Sequence, residues 1–468
     1  MRASLDSAIA ANRYGLGARP GDLDAIGRDP RHWLDAQLSG APPVIEDTSL
    51  RSSADILARA LEIRRERREE RRAGRDDTAA TAAADAVKLG GYYRPLYVAE
   101  ATARLGAAVA SERPFVERLT HFWTNHFAVS VDKPLVLGIA GSFEREAIRP
   151  HVLGNFSDLL LAAEQHPAML LYLDNHLSAG PNSQAARRAS RRGAAVRLGI
   201  NENLAREILE LHTLGVNGRY TQADVTTFAQ VISGWSIGGG SGRLASGEPG
   251  RFLFRAELHE PGAKTLLGTR YADEGVGQGE AVLRDLAQRP ATAQHIATKL
   301  ARHFVADEPP PAAVDRLAHA FLQSHGHLPT VYRALIDTPE AWAQPLTKYK
   351  TPSEYVISTH RGLSLPVAHE ARALAGFELL GQRTYSPGSP AGWPDRSADW
   401  DGSSALLKRV ELADVMGQRF GTRYSAPELA VELLGDTLGT ATRTALEHAA
   451  SAAQALTLLL AAPEFLRR

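Results

Sequence analysis

Cysteine is absent from all 468 residues. That excludes disulfides and thiolate metal sites, so any metal would have to be held by His, Asp or Glu. The absence suits either side of a bacterial inner membrane and fixes no compartment. Neither sign of charge is in excess, since Lys plus Arg and Asp plus Glu number 53 each. No global field therefore recruits nucleic acid or an anionic membrane, and no nucleic-acid partner is expected. No apolar run approaches the roughly 20 residues of a membrane span. The opening MRASLDSAIAANRYGLG is broken by charges and carries no secretory core. Read as it stands, the chain is expected in the cytoplasm, unless a leader has been removed. Also missing are a GxSxG elbow, a Walker loop and a dinucleotide fingerprint. GIAGSF at 138–143 is too short and follows no strand, so no nucleotide or flavin cofactor is expected.

Continuous β-branched runs are scarce, and alanine- and leucine-rich windows at helical spacing dominate. The fold class this implies is mainly α: a large multi-helix protein with long Gly/Pro-rich loops. One small β-hairpin is expected at about 251–272, where RFLFRAEL and Thr265–Tyr271 flank the turn HEPGAK. An N-terminal helical segment over 1–90 and a helical core over 91–468 read together as one continuous domain. The mixed-sign run LARALEIRRERREERR, within Asp55–Arg72, predicts a projecting, solvated helix. Asp76–Ala86 is low in complexity and reads as a connection. Helices are expected over Tyr92–Ser111, Arg113–Phe127 and Ser142–Glu164. Pro181–Gly199, with Arg187, Arg188, Arg191, Arg192 and Arg197, reads as a solvated loop or an anion- or partner-binding one. IGGGSGRLASGEPG and SPGSPAGWPDRSADW are further loops.

The densest polar run is NENLAREILELHTLG at 201–215. At about 100° per residue, Leu204, Ile208 and Leu211 share one side of a helix. Glu202, Asn203, Arg206, Glu207 and Glu210 share the other. This stripe is either solvent-facing or an inward set of carboxylates suited to metal ligation or acid–base work. His212 falls on the apolar side as a core residue. Thr221 and Asp224 match a capping box, which gives Asp224 a structural job. On the 115–127 helix, His126 falls among Phe115, Leu119, Phe122 and Trp123, whereas His121 falls on the polar face and reads as a surface residue. Five positions apart, the two histidines cannot chelate together from a regular helix. Glu207 or Glu210 could face His126. His259 and Lys264 sit in the hairpin turn, where loop-borne polar groups commonly serve a site.

Several motifs occur in one order: FWTNHF, NENLAREILELHTLG, YTQADV, GW, LHEPGAKTLLG, KLARHFVADEPP, KYKTPSEYV and GWP. In this order they resemble the bacterial family called domain of unknown function 1800, from the RYGLG segment to the final helices. The resemblance implies no defined reaction. It places signature positions on Trp123, Asn125, His126, Glu202, Asn203, Arg206, Glu207 and Glu210, and on Gln222, Asp224, Trp235, His259 and Lys264. It also implies an exported location in many members, and a sulfatase-like companion family as a protein partner. Thr124 stands where many members carry a second histidine, and Glu260 where Asp is usual.

Two functions follow. One is an enzyme, a hydrolase or a metal-dependent enzyme. His126, Arg206, Glu207, Glu210, His259 and Lys264 would be its catalytic groups. Asn125, Trp123, Glu202, Asn203, Gln222, Asp224 and Trp235 would be its binding groups. In the metal version His126, Glu207 and Glu210 would hold one divalent ion. The other is a non-catalytic helical scaffold in which the stripe is a buried ion-pair network.

Overall fold

Prolines open many of the helices, among them Pro30–Gln37, Pro114–His126, Pro290–Phe304, Pro311–Gln323 and Pro352–Gly362. The missing N–H costs nothing in a first helical turn, and the fixed φ suits it. The computed structural model describes residues 4–74, 78–191, 199–240, 245–343, 346–368 and 370–468, with side chains outside 70–88. The described chain is mainly helical, with two small antiparallel sheets. No described helix is long and apolar enough to cross a membrane.

The charged run lies in a helix at Ser53–Gly74. The low-complexity connection expected at 76–86 falls partly on Asp76 and Asp77, outside the described residues. From Thr78 onward its backbone belongs to a helix that runs to Ala110. Alanine's high helix propensity accounts for this. The arginine run is likewise partly helical, at Gln184–Arg191, with Arg187, Arg188 and Arg191 exposed. Arg192 and Arg197 lie outside the described residues, as do 241–244 of the glycine-rich loop.

The expected helix over Ser142–Glu164 is broken. It comprises Ala140–Phe143, a wide turn at Glu144–Ile148, a 3-10 turn at Arg149–His151 and a helix at Phe156–Gln165. Pro150 and Gly154 interrupt the periodicity that the apolar residues carry. Phe252–Phe254 pairs with Trp235–Ile237, and the tight hairpin is Lys264–Leu266 with Thr269–Tyr271. Gly234 allows the first pairing: its φ is +83°, and a Cβ there would sit 2.6 Å from the Arg255 carbonyl oxygen.

Residues from Ile9 to Leu466 contribute to one hydrophobic cluster. Trp123 is fully buried within it, and its indole N–H donates to the Tyr332 hydroxyl at 2.6 Å. Tyr332 in turn donates to the Val152 carbonyl at 3.0 Å. Truncating a core tryptophan typically costs about 3–5 kcal/mol, and here a buried hydroxyl would lose its partner as well.

Candidate functional site

A cavity of about 350 Å³ opens against the 114–126 helix. Its walls come from that helix, the 290–304 helix, the start of the 352–362 helix and the loop over 382–399. The loop is held in place by Asn125. The Asn125 side-chain oxygen accepts from the Trp393 N–H at 2.7 Å, and its amide donates to the Trp393 carbonyl at 2.9 Å. Gly392 is what lets the loop come this close. Its φ is +83°, and a Cβ there would run into the backbone and side chain of Asn125.

Behind the cavity lie two ionic networks. In one, Arg149 bridges Glu117 and Glu144, with Arg104 also on Glu144 at 2.6 Å. Glu144 accepts further from Thr124 and from the Tyr385 hydroxyl. Burial alone would raise the Glu144 carboxyl, but Arg104 and Arg149 outweigh it and hold the group at about 2. In the other, Asp395 accepts from His303 at 3.0 Å and from Arg468 at 3.3 Å, while Glu354 pairs with Arg118 and Arg468. His303 resembles the histidine of a carboxylate–histidine pair, but its second nitrogen is occupied: Arg118 Nε donates to it at 3.2 Å. Burial pushes the His303 imidazole down to about 4 despite Asp395. His303 is therefore a neutral strut.

His126 differs. It lines the cavity at 1% exposure, and its Nε2 lies 3.2 Å from the His212 carbonyl, which can only accept. The proton must sit on Nε2, which leaves Nδ1 as a lone pair. That nitrogen is buried without a hydrogen-bond partner. Burial first, and then the Lys299 ammonium, hold the imidazole well below its ordinary value. Lys299 lines the same cavity, and burial brings its amine down to about 8. An uncharged base thus stands near an ammonium on the edge of deprotonation.

The polar stripe lies elsewhere. The helix over Asn203–Glu207 passes into a wide turn at Ile208–His212, where each bond reaches one residue further. That extra residue breaks the regular wheel: Leu209 and His212 are buried, whereas Leu211 is half-exposed. Asn203 is exposed, and Glu202, Arg206, Glu207 and Glu210 are half-exposed. Glu202 is tied to Arg206 at 3.1 Å, to Gln222 at 2.7 Å and to Thr226 at 2.6 Å. Glu210 accepts from Tyr220 at 3.3 Å. Burial raises the Glu207 carboxyl somewhat, helped by Glu210 but opposed by His212. His126 meets the inward side of this segment, so His126, Glu207 and Glu210 do not converge. Among the described residues no group of three or more His, Asp or Glu is arranged to hold a metal ion.

His212 is fully buried, as its apolar position implied, with Nδ1 2.7 Å from Glu164. His121 is not a surface residue: its side chain is 13% exposed and lines the cavity, 3.5 Å from Glu117. The polar face of its helix is covered by the buried network, which a wheel cannot distinguish from solvent. Asp224 completes the capping box with Thr221 and also accepts from the Leu267 N–H at 3.1 Å, tying the hairpin down. Lys264 donates to Glu260, Gly262 and Gln278. His259 bonds the Ser233 carbonyl at 2.9 Å. Trp235 is fully buried. Of the residues expected to be catalytic or binding groups, His126 and Asn125 reach the cavity wall.

The protein-of-unknown-function model DUF1800 matches residues 9–467. The chain belongs to the DUF1800 family. No curated protein and no solved structure is detectably similar to it. The DUF1800 motifs explain what reading the residues one by one missed. KLARHF carries Lys299, Arg302 and His303, KYKTPSE carries Glu354, and GWP leads into Asp395. These runs are far apart in sequence, and all of them line the cavity.

Proposed function

We propose that this DUF1800 protein is a hydrolase whose active site is the cavity against the 114–126 helix. The observation that carries the reading is that His126, which lines the cavity, keeps a buried Nδ1 without a hydrogen-bond partner. A buried nitrogen without a partner is costly to keep, and such groups concentrate where a ligand or water supplies the bond. His126 takes a proton from a water in the cavity, and the resulting hydroxide attacks the electrophilic centre of the substrate ester. As the ester bond breaks, the leaving oxygen takes the proton back from His126. The Lys299 ammonium stabilises the negative charge that develops. General-base assistance of this kind is worth about 10²–10⁴-fold in rate. This gives the basic role to His126 rather than to Glu207 or Glu210, which lie outside the cavity.

The test is turnover of chromogenic carboxylate, phosphate and sulfate esters by the full chain and by His126→Gln. A loss of roughly a hundredfold or more in kcat supports the reading. Turnover that survives His126→Gln intact sinks it.

The scaffold reading has some support at the stripe, although the network there is half-exposed and not the buried one expected. The Glu202 carboxylate joins Arg206 on its own helix to Gln222 and Thr226 on the next. That is a register-fixing role for the stripe, and it is compatible with catalysis in the cavity.

A further inference from the structure

Six cationic side chains line the cavity, against three carboxylates. Four of the six already have a carboxylate partner. Arg104 pairs with Glu144 at 2.6 Å, Arg118 with Glu354, Arg383 with Asp132 at 3.7 Å and Arg396 with Glu308 at 3.0 Å. Lys299 and Arg302 make no such pair among the described residues. Arg302 gives its Nε to the Asp307 backbone carbonyl at 3.2 Å.

These two residues sit three apart on the 290–304 helix, which puts them on one face, a single turn from each other. Like charges at that spacing repel, and the repulsion grows where water is scarce. Asp395 is near enough to favour the Lys299 ammonium, and Arg302 acts against it. The Asp395 oxygens are themselves occupied by His303 and Arg468. Asp399, the third lining carboxylate, is exposed. The wall of the cavity therefore carries two adjacent cations that make no ion pair among the described residues, and His126 lines the same cavity.

We propose that the cavity binds a small oxyanionic group of its substrate, a carboxylate, sulfate or phosphate, between Lys299 and Arg302. This deepens the hydrolase reading and rests on the same cavity. An oxyanion satisfies both cations at once, and its oxygens accept charge-assisted hydrogen bonds from each. It also brings the substrate into the cavity that His126 lines. The cavity volume of about 350 Å³ suits a small molecule rather than a polymer.

The experiment titrates the full chain calorimetrically with acetate, sulfate and inorganic phosphate at constant ionic strength, with chloride as the reference. At least one oxyanion is expected to bind saturably, and the tightest of the three identifies the substrate group. Lys299→Gln and Arg302→Gln should each weaken it about tenfold or more, the scale of one charged hydrogen bond. Lys299→Arg, which keeps the charge, should retain most of the affinity. Absence of binding beyond chloride overturns the proposal, as does wild-type affinity in both neutral variants. His126→Gln separates the two readings. If it binds the anion and turnover also persists, the hydrolase mechanism fails and the anion site stands. If turnover depends on His126 while no oxyanion binds or competes, the anion site alone fails.

Discussion

Replacing Arg149 by methionine removes the one guanidinium shared by two buried carboxylates. Arg149 is 1% exposed and donates to Glu117 at 2.9 and 2.5 Å and to Glu144 at 3.0 and 2.8 Å. Glu144 would keep Arg104, Thr124 and Tyr385. Glu117, 3% exposed, would keep only His121 at 3.5 Å. Leaving such a charge unpaired costs about 3–5 kcal/mol. A ceiling comes from protonation: neutralising a carboxyl of ordinary pKa ~4.3 at pH 7 costs about 3.7 kcal/mol. The two figures agree, so Glu117 should take up a proton rather than remain charged. With unfolding entropy near 2.1 cal/mol/K per residue, or about 1 kcal/mol/K for the 468-residue chain, Tm should fall by about 3–5 °C.

The pH dependence makes the argument specific. Burial opposes ionisation of Glu117 in the wild type, but Arg149 outweighs it and holds the carboxyl well below its ordinary range. A depressed pKa contributes stability that is present above about pH 4.3 and lost as pH falls through the folded value. In Arg149→Met the Glu117 pKa is raised instead. The deficit against wild type should be full at pH 7 and shrink toward pH 5. Adding Glu117→Gln should restore most of the loss. Thermal denaturation by circular dichroism at pH 5 and 7 reads all of this. A single variant within about 1 °C of wild type, or a double variant no better than the single, refutes the reasoning.

Glu144, Glu146 and Glu354 are each held at about 2, against the opposing effect of burial, by neighbouring cations or hydrogen-bond donors. The wild type should therefore be stable down to about pH 4 and lose stability steeply as pH falls toward 2, read by far-UV circular dichroism. A midpoint unchanged between pH 5 and pH 2.5 would contradict it. Gly392→Ala should cost at least about 1–2 kcal/mol through its positive φ and the collision with Asn125, and should also weaken oxyanion binding by displacing the loop. Leu209→Ala, fully buried, should cost about 2–5 kcal/mol in urea denaturation. Arg206→Ala, on the half-exposed stripe, should stay within about 1 kcal/mol. The reverse order would mean that the stripe is the more structural side.

Much of the fold was legible locally. Apolar spacing placed the 114–126 helix with His126 inward, and it placed His212 in the core. The Thr221–Asp224 capping box is present as read. These features depend on residues within a turn or two of one another, where backbone geometry alone sets who is neighbour to whom. Breaks inside periodic runs were harder to see. The wide turns at Glu144–Ile148 and Ile208–His212 leave the hydrophobic pattern nearly helical while shifting the face that follows.

What the sequence by itself determined is the helical class and the inward histidine, while the clamp that Asn125 makes on Trp393 belongs to the tertiary structure. Which polar groups meet was decided only by tertiary structure. Lys299, Arg302, His303, Glu354 and Asp395 come from segments up to about a hundred residues apart and converge on the helix that carries His126. A polar residue on a helical wheel faces away from the apolar stripe, but whether it then meets water or a buried carboxylate depends on what covers it. His121 and the 202–210 stripe show the two outcomes. One is covered by an ionic network, and the other is left half in solvent, because pairing across distant segments leaves no period in the chain.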